Sequence, residues 1–328
     1  MNPISRPRLF RDATNVAKGL ATCIPGVLKL APRKGTGGTD AAPYCYGVWL
    51  KHLTLLHSNG FKGVPECVAE IGPGDSLGVG IAALLSGARR YRALDVVPYA
   101  NKERTLRILD ELLVLFRARS KRPTKGWPDF DVHLGEGLFP KHILSDQRLS
   151  EALRDERVTA IRAAVSTPGK SADGIEVTYA VPWTDKSVVQ ANEVDLLLSH
   201  SVLEHVTDLQ QTYLAMERWL RPGGWMTHQI DLTSHGLCEK WNGHRAYSDL
   251  VWKLIVGKRP FLINREPPSM HIMLMRQHGF DIVCEMALRM SGSIERSELA
   301  ARWHTLSDSD LNTASMFVQA CKSRGEKL

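Results

Sequence analysis

The chain has 328 residues, of which 43% are hydrophobic, 23% charged and 7% aromatic. This balance is typical of a soluble globular protein and excludes collagen-like and intrinsically disordered chains. The net charge is +7, and the excess of Lys and Arg is concentrated in residues 1–66 and 89–125. The densest basic run contains Arg117, Arg119, Lys121, Arg122 and Lys125. Such a run is either a solvated loop or an electrostatic footprint for an anionic substrate or a membrane surface.

Several classes of protein are disfavoured by features that the sequence lacks. No apolar run reaches the roughly 18 to 20 residues needed to span a bilayer, and the N-terminus has no signal-peptide pattern. We therefore expect a cytoplasmic chain without a transmembrane segment. Six cysteines without a C-x-x-C pair predict neither a disulfide framework nor a zinc knuckle. Nucleic acid is disfavoured because no aromatic residues interleave with the basic runs, and the oligomeric state is left open.

The predicted elements begin with an appendage. Residues 1–64 form a basic N-terminal segment whose one predicted helix lies in YCYGVWLKHLTLLHSNG. After it, the pattern predicts a strand in ECVAEIG, a turn in PGDS, a helix in LGVGIAALLSG and a second strand in RYRALDVV. Strand, helix and strand in about 30 residues constitute one βαβ unit, which starts a parallel sheet.

A long connection separates the second strand from the third. Residues 101–174 contain two predicted helices, from Asn101 to Arg119 and from Gln147 to Val165, before a strand at 175–181. A connection of this length is interpreted as an insertion beside a site. The apolar run VDLLLSHSV at 194–202 is typical of a central parallel strand. A helix at 208–220 and a strand in GWMTHQIDL follow it.

The C-terminal third completes the predicted sheet. Residues 233–268 are interpreted as a second excursion, followed by a helix at 269–278, the strand FDIVCEMALR, a short helix at 294–303 and the strand SMFVQACK. We expect the last two strands to pair antiparallel. The predicted fold is an α/β, Rossmann-like, doubly wound sheet of seven strands, mostly parallel with an antiparallel C-terminal hairpin. The main domain is predicted to span residues 65–322, with 323–328 as a tail.

The most informative motif is AEIGPGDSLG, which joins the first strand to its helix. Glu70 lies at the predicted strand end, and Gly72 and Gly74 build a tight turn whose N–H groups can face a ligand. The third glycine of a dinucleotide fingerprint is displaced to Gly78, which disfavours a pyrophosphate. Asp95 ends the second strand, where an acid can bind two adjacent ribose hydroxyls.

Four features in order resemble the class I S-adenosylmethionine-dependent methyltransferases over residues 65–322. They are the E-x-G-x-G turn, the acid Asp95, the string DLLLSHSVLEHVTD and the helix ending WLRPGG before a strand. The resemblance implies S-adenosylmethionine as cofactor, with Gly72 and Gly74 against its amino acid part and Asp95 on its ribose. The other residues placed on the cofactor side are Glu70, Asp75, Ser76, Trp183, Ser199, His200 and Ser201. The alternative is a plain Rossmann turn that binds another nucleotide.

Candidate catalytic residues follow the two central strands. His205 lies in SVLEHV, and Asp231 and His235 lie in THQIDLTSHG, where an Asp-His pair is a common arrangement for a base. The alternatives are a packing role for His205 and a solvent-exposed turn for the pair. No metal is expected, because Ser201 stands where quinone-type O-methyltransferases carry an extra acid. In addition, His228 and Asp231 point to opposite faces of a strand.

A narrower resemblance concerns the acceptor. The strings YCYGVWLKHL and GDSLGVGIAALLSGA, and the strand QIDL-x-x-H followed by Asn264 and Arg265, are similar to bacterial methyltransferases of polysaccharide and secondary-metabolite gene clusters. This implies O-methylation of a sugar or glycan-type acceptor. We expect the appendage, residues 101–174 and residues 233–268 to form the acceptor side, and the excess of Lys and Arg there suits an anionic acceptor. The alternatives are a methyltransferase of a small natural product or amine, an RNA methyltransferase, and a cofactor-binding regulatory protein without catalysis.

Overall fold

One mixed sheet forms the centre of the molecule. The computed structural model describes residues 8–27, 35, 37–123, 134, 137–183, 185–259 and 261–324. Within them, seven strands follow the order β3-β2-β1-β4-β5-β7-β6. They are β1 Cys67–Ile71, β2 Arg90–Leu94, β3 Glu176–Ala180, β4 Val194–His200, β5 Leu220–Asp231, β6 Phe280–Arg289 and β7 Thr313–Lys322. Strands β1 to β5 pair in parallel, and β7 is antiparallel to both β5 and β6. The predicted Rossmann-like sheet is confirmed; β7 alone is reversed, and β6 again runs with the first five strands.

Ten α-helices are found in the described part of the chain. They are α1 Arg8–Ala21, α2 Ala42–Ser58, α3 Gly78–Leu85, α4 Lys102–Arg117, α5 Asp146–Ala152, α6 Asp155–Ser166, α7 Leu209–Trp219, α8 Asp249–Val256, α9 Pro268–Gln277 and α10 Asp308–Asn312. Helices α1, α8 and α10 were not predicted. The single helix predicted from Gln147 to Val165 is two helices. The backbone of Arg154 is not helical, and the acids Asp155 and Glu156 lie in the first turn of α6, where they favour a helix N-terminus. The short helix predicted at 294–303 was wrong: this segment holds two isolated 3-10 turns.

The sheet is covered on both faces, and its strands alternate between two hydrophobic clusters. Val68 on β1 packs in the cluster that contains residues of α2 to α6. Its neighbour Ala69 packs in the cluster that contains residues of α7 and α9. This period of two is what a strand buried on both faces requires. The carboxyl ends of β1, β2, β4 and β5 therefore meet at one edge, where open α/β sheets bind ligands.

Helix α2 belongs to the core rather than to an appendage. Its side chains Trp49, Leu50 and Leu53 are fully buried in the same cluster as α3 and the sheet. Trp49 Nε1 donates to Ser86 Oγ at 2.8 Å, which satisfies a polar group inside this packing. The predicted boundary at residue 64 therefore does not separate two hydrophobic cores.

Helix α1 covers the excursion that follows β5. A Cβ atom on Gly19 would lie 1.9 Å from the Leu254 carbonyl oxygen, so the backbones of α1 and α8 are in close contact. Asn15 Nδ2 donates to the Leu237 carbonyl at 2.9 Å, and the Tyr247 hydroxyl donates to Asp12. The N-terminal helix and residues 233–268 thus pack together. Within the described residues, no helix is both long enough and apolar enough to cross a membrane.

Candidate active site

The glycine turn leaves β1 with the backbone geometry that the motif predicts. Gly72 and Gly74 have φ angles of +71° and +72°, a region that favours glycine. A Cβ atom on Gly72 would lie 2.5 Å from Val202 Cγ2, so the turn after β4 packs directly on this glycine. Glu70 is 3% exposed and accepts a hydrogen bond of 2.5 Å from the Tyr91 hydroxyl. Burial raises the pKa of Glu70 to about 7, although the bond from Tyr91 opposes this shift.

The next two residues hold the turn to the N-terminal segment. The backbone N–H of Asp75 donates to Thr39 Oγ1 at 2.8 Å, and the fully buried Ser76 hydroxyl donates to the Thr39 carbonyl. The Asp75 carboxylate lies 3.5 Å from Arg104 Nη1 on α4. Both side chains are therefore engaged within the protein, and their direct contact with a cofactor stays a prediction.

Asp95 lies where β2 ends, close to the glycine turn. Its Oδ1 accepts from the Val96 N–H at 2.7 Å, and its side chain is 7% exposed. Burial raises the pKa of this carboxyl, opposed by backbone N–H groups that include that of Gly74. Trp183 N–H donates to the Asp95 carbonyl at 2.9 Å, while its indole packs edge-on against Trp219 at 5.4 Å between centroids. Trp183 thus sits beside Asp95 with its ring against the core.

The three residues predicted at the end of β4 separate into different environments. Ser199 is fully buried inside the sheet, with its Oγ 2.8 Å from His228 Nδ1, and its contact with the cofactor stays a prediction. His200 faces α2 instead, with its Nδ1 3.2 Å from His52 Nε2. Ser201 adopts φ +54°, and its N–H donates to the Gln229 carbonyl at 2.9 Å. The chain therefore turns sharply just after the strand, above the edge of the sheet.

The candidate catalytic residues converge after β4 and β5. His235 Nε2 lies 3.1 Å from Asp231 Oδ2, which forms the predicted Asp-His pair. The His235 ring packs edge-on against His205, with 5.0 Å between centroids. Glu204 joins them: one ligand atom each of Glu204, His205 and His235 lies within 4.8 Å of the others. The predicted residues His205, Asp231 and His235 are thus brought together, with one acid more.

Burial and neighbouring charges shift the pKa values of the groups in this cluster in different directions. Burial lowers the pKa of His205 to about 4, with the neighbouring His235 adding to the effect. Burial also raises the pKa of Glu204 well above its usual range. Burial alone would raise the pKa of Asp231, but its hydrogen bonds to His235 and to the Thr233 N–H outweigh burial and lower it. Asp231 is therefore the charged acid of the cluster, and His205 is neutral at pH 7.

The excursion fixes the turn that carries Glu204 and His205. Asn264 Nδ2 donates to the carbonyls of Leu203 and Val206 at 2.7 and 2.9 Å, and Asn264 N–H donates to the Glu204 carbonyl at 2.6 Å. Phe261 of the excursion also lies near the segment that follows β2. The rings of Tyr99 and Phe261 lie 6.0 Å apart. Residues of the excursion therefore contact the edge of the sheet from both sides, and their role as the acceptor side stays a prediction.

The basic run after α4 is largely engaged with the protein. Arg117 and Arg119 form ion pairs with Asp155 and Asp146, and Arg122 is 3% exposed. Lys125 lies outside the described residues. Arg117 and Lys121 remain exposed, and a role of the run in steering an anionic acceptor stays a prediction.

Residues 153–227 match the family model described as a methyltransferase domain. The matched segment contains β3, β4 and most of β5, and it includes Glu204 and His205 but not the glycine turn or Asp95. The match supports methyl transfer as the class of reaction and S-adenosylmethionine as the cofactor. No curated protein matches the chain.

Solved methyltransferase structures resemble the chain only loosely. An S-adenosylmethionine-dependent methyltransferase from Mesorhizobium loti is 13% identical over 87% of this chain and 100% of its own, with a TM-score of 0.40. One from Methanosarcina mazei is 11% identical over 82% and 97%, with a TM-score of 0.41. Phosphoethanolamine N-methyltransferase 2 from Haemonchus contortus is 14% identical over 88% and 58%, with a TM-score of 0.41. At these scores the fold rests on the strand order of the chain itself.

Sequence reasoning missed residues that support the site from a distance. Thr39 holds the glycine turn, and Tyr44 packs edge-on against His200 at 6.0 Å. His52 links His200 to Thr227, whose Oγ1 lies 2.8 Å from His52 Nδ1. A polar histidine within the apolar helix α2 was the available indication, because a buried polar group needs a partner.

Proposed function

We propose that the protein transfers a methyl group from S-adenosylmethionine to an oxygen of a sugar or glycan-type acceptor. The observation that carries this proposal is the Asp231–His235 pair, which stands at the same edge of the sheet as the glycine turn and Asp95. A cofactor site and an activating pair at one edge are what methyl transfer to a hydroxyl requires.

The residues at the edge fit the cofactor. A Cβ atom on Gly72 would meet Val202, so only glycine lets the turn after β4 pack against the turn after β1 at this edge. Asp95 presents a mostly buried carboxylate at the end of β2, where it can accept hydrogen bonds from two ribose hydroxyls. When bound, S-adenosylmethionine supplies an activated methyl group on a sulfonium. Gly72, Gly74 and Asp95 would hold it.

The Asp231–His235 pair supplies the activation of the acceptor. Because one ring nitrogen of His235 lies against Asp231, the other nitrogen presents a lone pair. Asp231 stays ionised, and its contact with one ring nitrogen fixes the orientation of the ring. The lone pair of His235 is therefore the group that activates the acceptor oxygen. An amine acceptor, the second candidate, would use the same residues.

Binding of the cofactor is the first test. Calorimetry should show binding of S-adenosylmethionine and no binding of NAD. Asp95→Asn should weaken the affinity more than ten-fold, because loss of charge-assisted hydrogen bonds costs about 1.5 to 3 kcal/mol. Asp281→Asn, on the exposed edge strand β6, is the matched control and should change nothing. Binding of NAD without binding of the sulfonium would contradict the proposal.

Turnover is the second test. The chain, incubated with methyl-labelled S-adenosylmethionine and with nucleotide-sugar or cell-envelope fractions, should label a glycan-type product. His235→Asn should lower turnover about 10² to 10⁴-fold while cofactor affinity is kept. Label in an amine-containing natural product would replace the acceptor class. An unchanged rate in His235→Asn would contradict the role of the pair.

A further inference from the structure

The buried carboxylate of Glu204 is not satisfied by hydrogen bonds within the described part of the protein. Glu204 is 2% exposed, and neither of its oxygens forms a hydrogen bond of full geometry among the described residues; the backbone N–H groups of Glu204 and Asp231 only partly offset its burial. Among the same residues, His205 Nδ1, which is also buried, forms no such bond. A buried polar atom without a partner costs free energy, and two such groups side by side call for an explanation.

We propose that Glu204, His205 and His235 bind one divalent metal ion on the acceptor side of the site. One ligand atom from each residue lies within 4.8 Å of the other two. Ligands about 2.1 Å from a shared ion are separated by at most about 4.2 Å, so small side-chain movements complete the site. The ligands come from the turn after β4 and the turn after β5, which the sheet order places side by side.

Asp231 provides an outer-sphere partner for this site. Metal-binding histidines usually donate their second ring N–H to a carboxylate, which fixes the ring and strengthens the ligand. The 3.1 Å contact between His235 Nε2 and Asp231 Oδ2 is this arrangement. Binding of the ion would release the proton of Glu204, and the two positive charges of the ion would then balance the carboxylates of Glu204 and Asp231.

The donor set selects the class of metal. Two imidazoles and one carboxylate suit borderline ions such as Zn²⁺, Mn²⁺, Fe²⁺ or Co²⁺, whereas Ca²⁺ and Mg²⁺ prefer oxygen ligands. Three protein ligands leave coordination positions open. His235 is exposed, so these positions can be reached from the acceptor side. We therefore infer an open site that takes an oxygen of the acceptor.

This inference rests on the proposed function and changes how His235 acts in it: with the ion bound, the lone pair of His235 holds the metal and activates the acceptor through it. An ion held by Glu204, His205 and His235 lowers the pKa of an acceptor hydroxyl beside it. The proton of that hydroxyl leaves to solvent, and the oxygen forms a bond to the methyl carbon. The carbon–sulfur bond breaks, and its electron pair stays on sulfur. Nothing is oxidised or reduced, and no further reactant is needed.

Metal binding is tested on the full chain after treatment with a chelator. Titration with Zn²⁺, Mn²⁺ and Co²⁺ alone, followed by calorimetry, should show one ion per chain, and bound Co²⁺ should show visible ligand-field absorption. Glu204→Gln and His235→Asn should each weaken binding more than ten-fold. Asp231→Asn should weaken it about 10 to 100-fold, as expected of an outer-sphere partner. His278→Asn and Glu285→Gln, outside the cluster, are the matched controls and should bind like the unaltered chain.

Cofactor binding separates this inference from the proposed function. Each variant is also titrated with S-adenosylmethionine, and retained affinity shows that the variant is folded. If the unaltered chain binds S-adenosylmethionine but no metal, or if the cluster variants bind metal as the controls do, the metal site is refuted and the proposed function stands. If it binds metal at this cluster but not S-adenosylmethionine, the proposed function fails and the site stands.

Discussion

Gly72 has a left-handed backbone conformation and packs closely against Val202. An alanine at this position should strain the backbone and displace Val202. Gly72→Ala places a β-carbon at φ +71°, which costs about 1 to 2 kcal/mol, and drives it into Val202. Because Val202 precedes the turn of Glu204 and His205, we expect cofactor affinity and turnover to fall together. Calorimetry with S-adenosylmethionine and thermal unfolding measure the two effects.

A second glycine separates strain from contact. Gly279 has a similar φ of +77°, but a Cβ atom there would meet nothing within 4 Å. Gly279→Ala should therefore lose a similar amount of stability through strain and keep its affinity for the cofactor. Equal loss of affinity in both variants would show that the contact with Val202 does not matter.

Single residues were predictable where a local motif defines them. The left-handed turn at Gly72 and the acid Asp95 at a strand end follow from neighbouring residues in the chain. The burial of Ser199 was not predictable, because it depends on where β4 ends: the strand continues to His200, so Ser199 stays inside the sheet. Glu204 and His235 are 31 positions apart, and only the pairing of β4 with β5 brings them together.

Helix α2 carries a large share of the core, so its removal should unfold the protein. Tyr46, Trp49, Leu50 and Leu53 are fully buried, and each contributes about 1.5 to 3 kcal/mol. The sum, about 6 to 12 kcal/mol, is comparable with the whole stability of a typical domain. We expect a chain that begins at residue 65 to lack cooperative thermal unfolding in circular dichroism.

A shorter truncation serves as its control. A chain that begins at residue 37 loses α1 and its contacts with α8 but keeps all of α2. It should unfold cooperatively, with a lower midpoint, because the contacts of α1 concern the excursion. Cooperative unfolding of the chain that begins at residue 65 would mean that α2 is an appendage, as the sequence first suggested.

The helices themselves were easier to predict than their positions. The segment that forms α2 is apolar on all sides, which is typical of a buried helix, but the sequence does not show which face of the sheet it covers. Helix α8 was missed because its apolar residues contact α1, more than 200 positions earlier. Local patterns thus predict elements, while long-range contacts decide how the excursion closes over the edge.

Buried titratable groups make the stability of the molecule depend on pH in two directions. Burial lowers the pKa of His228 to about 3 and of His271 to about 4. The unfolded chain binds more protons there, so these histidines lower the stability as the pH falls below about 6.5. Glu70 acts in the opposite sense, because its pKa is raised in the folded protein. A variant that isolates Glu70 can separate the two effects.

Glu70→Gln keeps the shape of the side chain and an acceptor for Tyr91 but removes the titration. The folded pKa of Glu70 is about 7, against an ordinary value of 4.5. Between these values the folded protein binds the proton and the unfolded chain releases it. The stabilising contribution is therefore fully present below about pH 4.5 and is lost as the pH rises through 7.

Relative to the unaltered protein, Glu70→Gln should gain about 3 kcal/mol between pH 4.5 and 8. Urea unfolding at several pH values measures this difference, with Glu285→Gln on β6 as the exposed control. A difference that does not change with pH would mean that Glu70 keeps an ordinary pKa, and that the buried contact with Tyr91 holds a charged carboxylate.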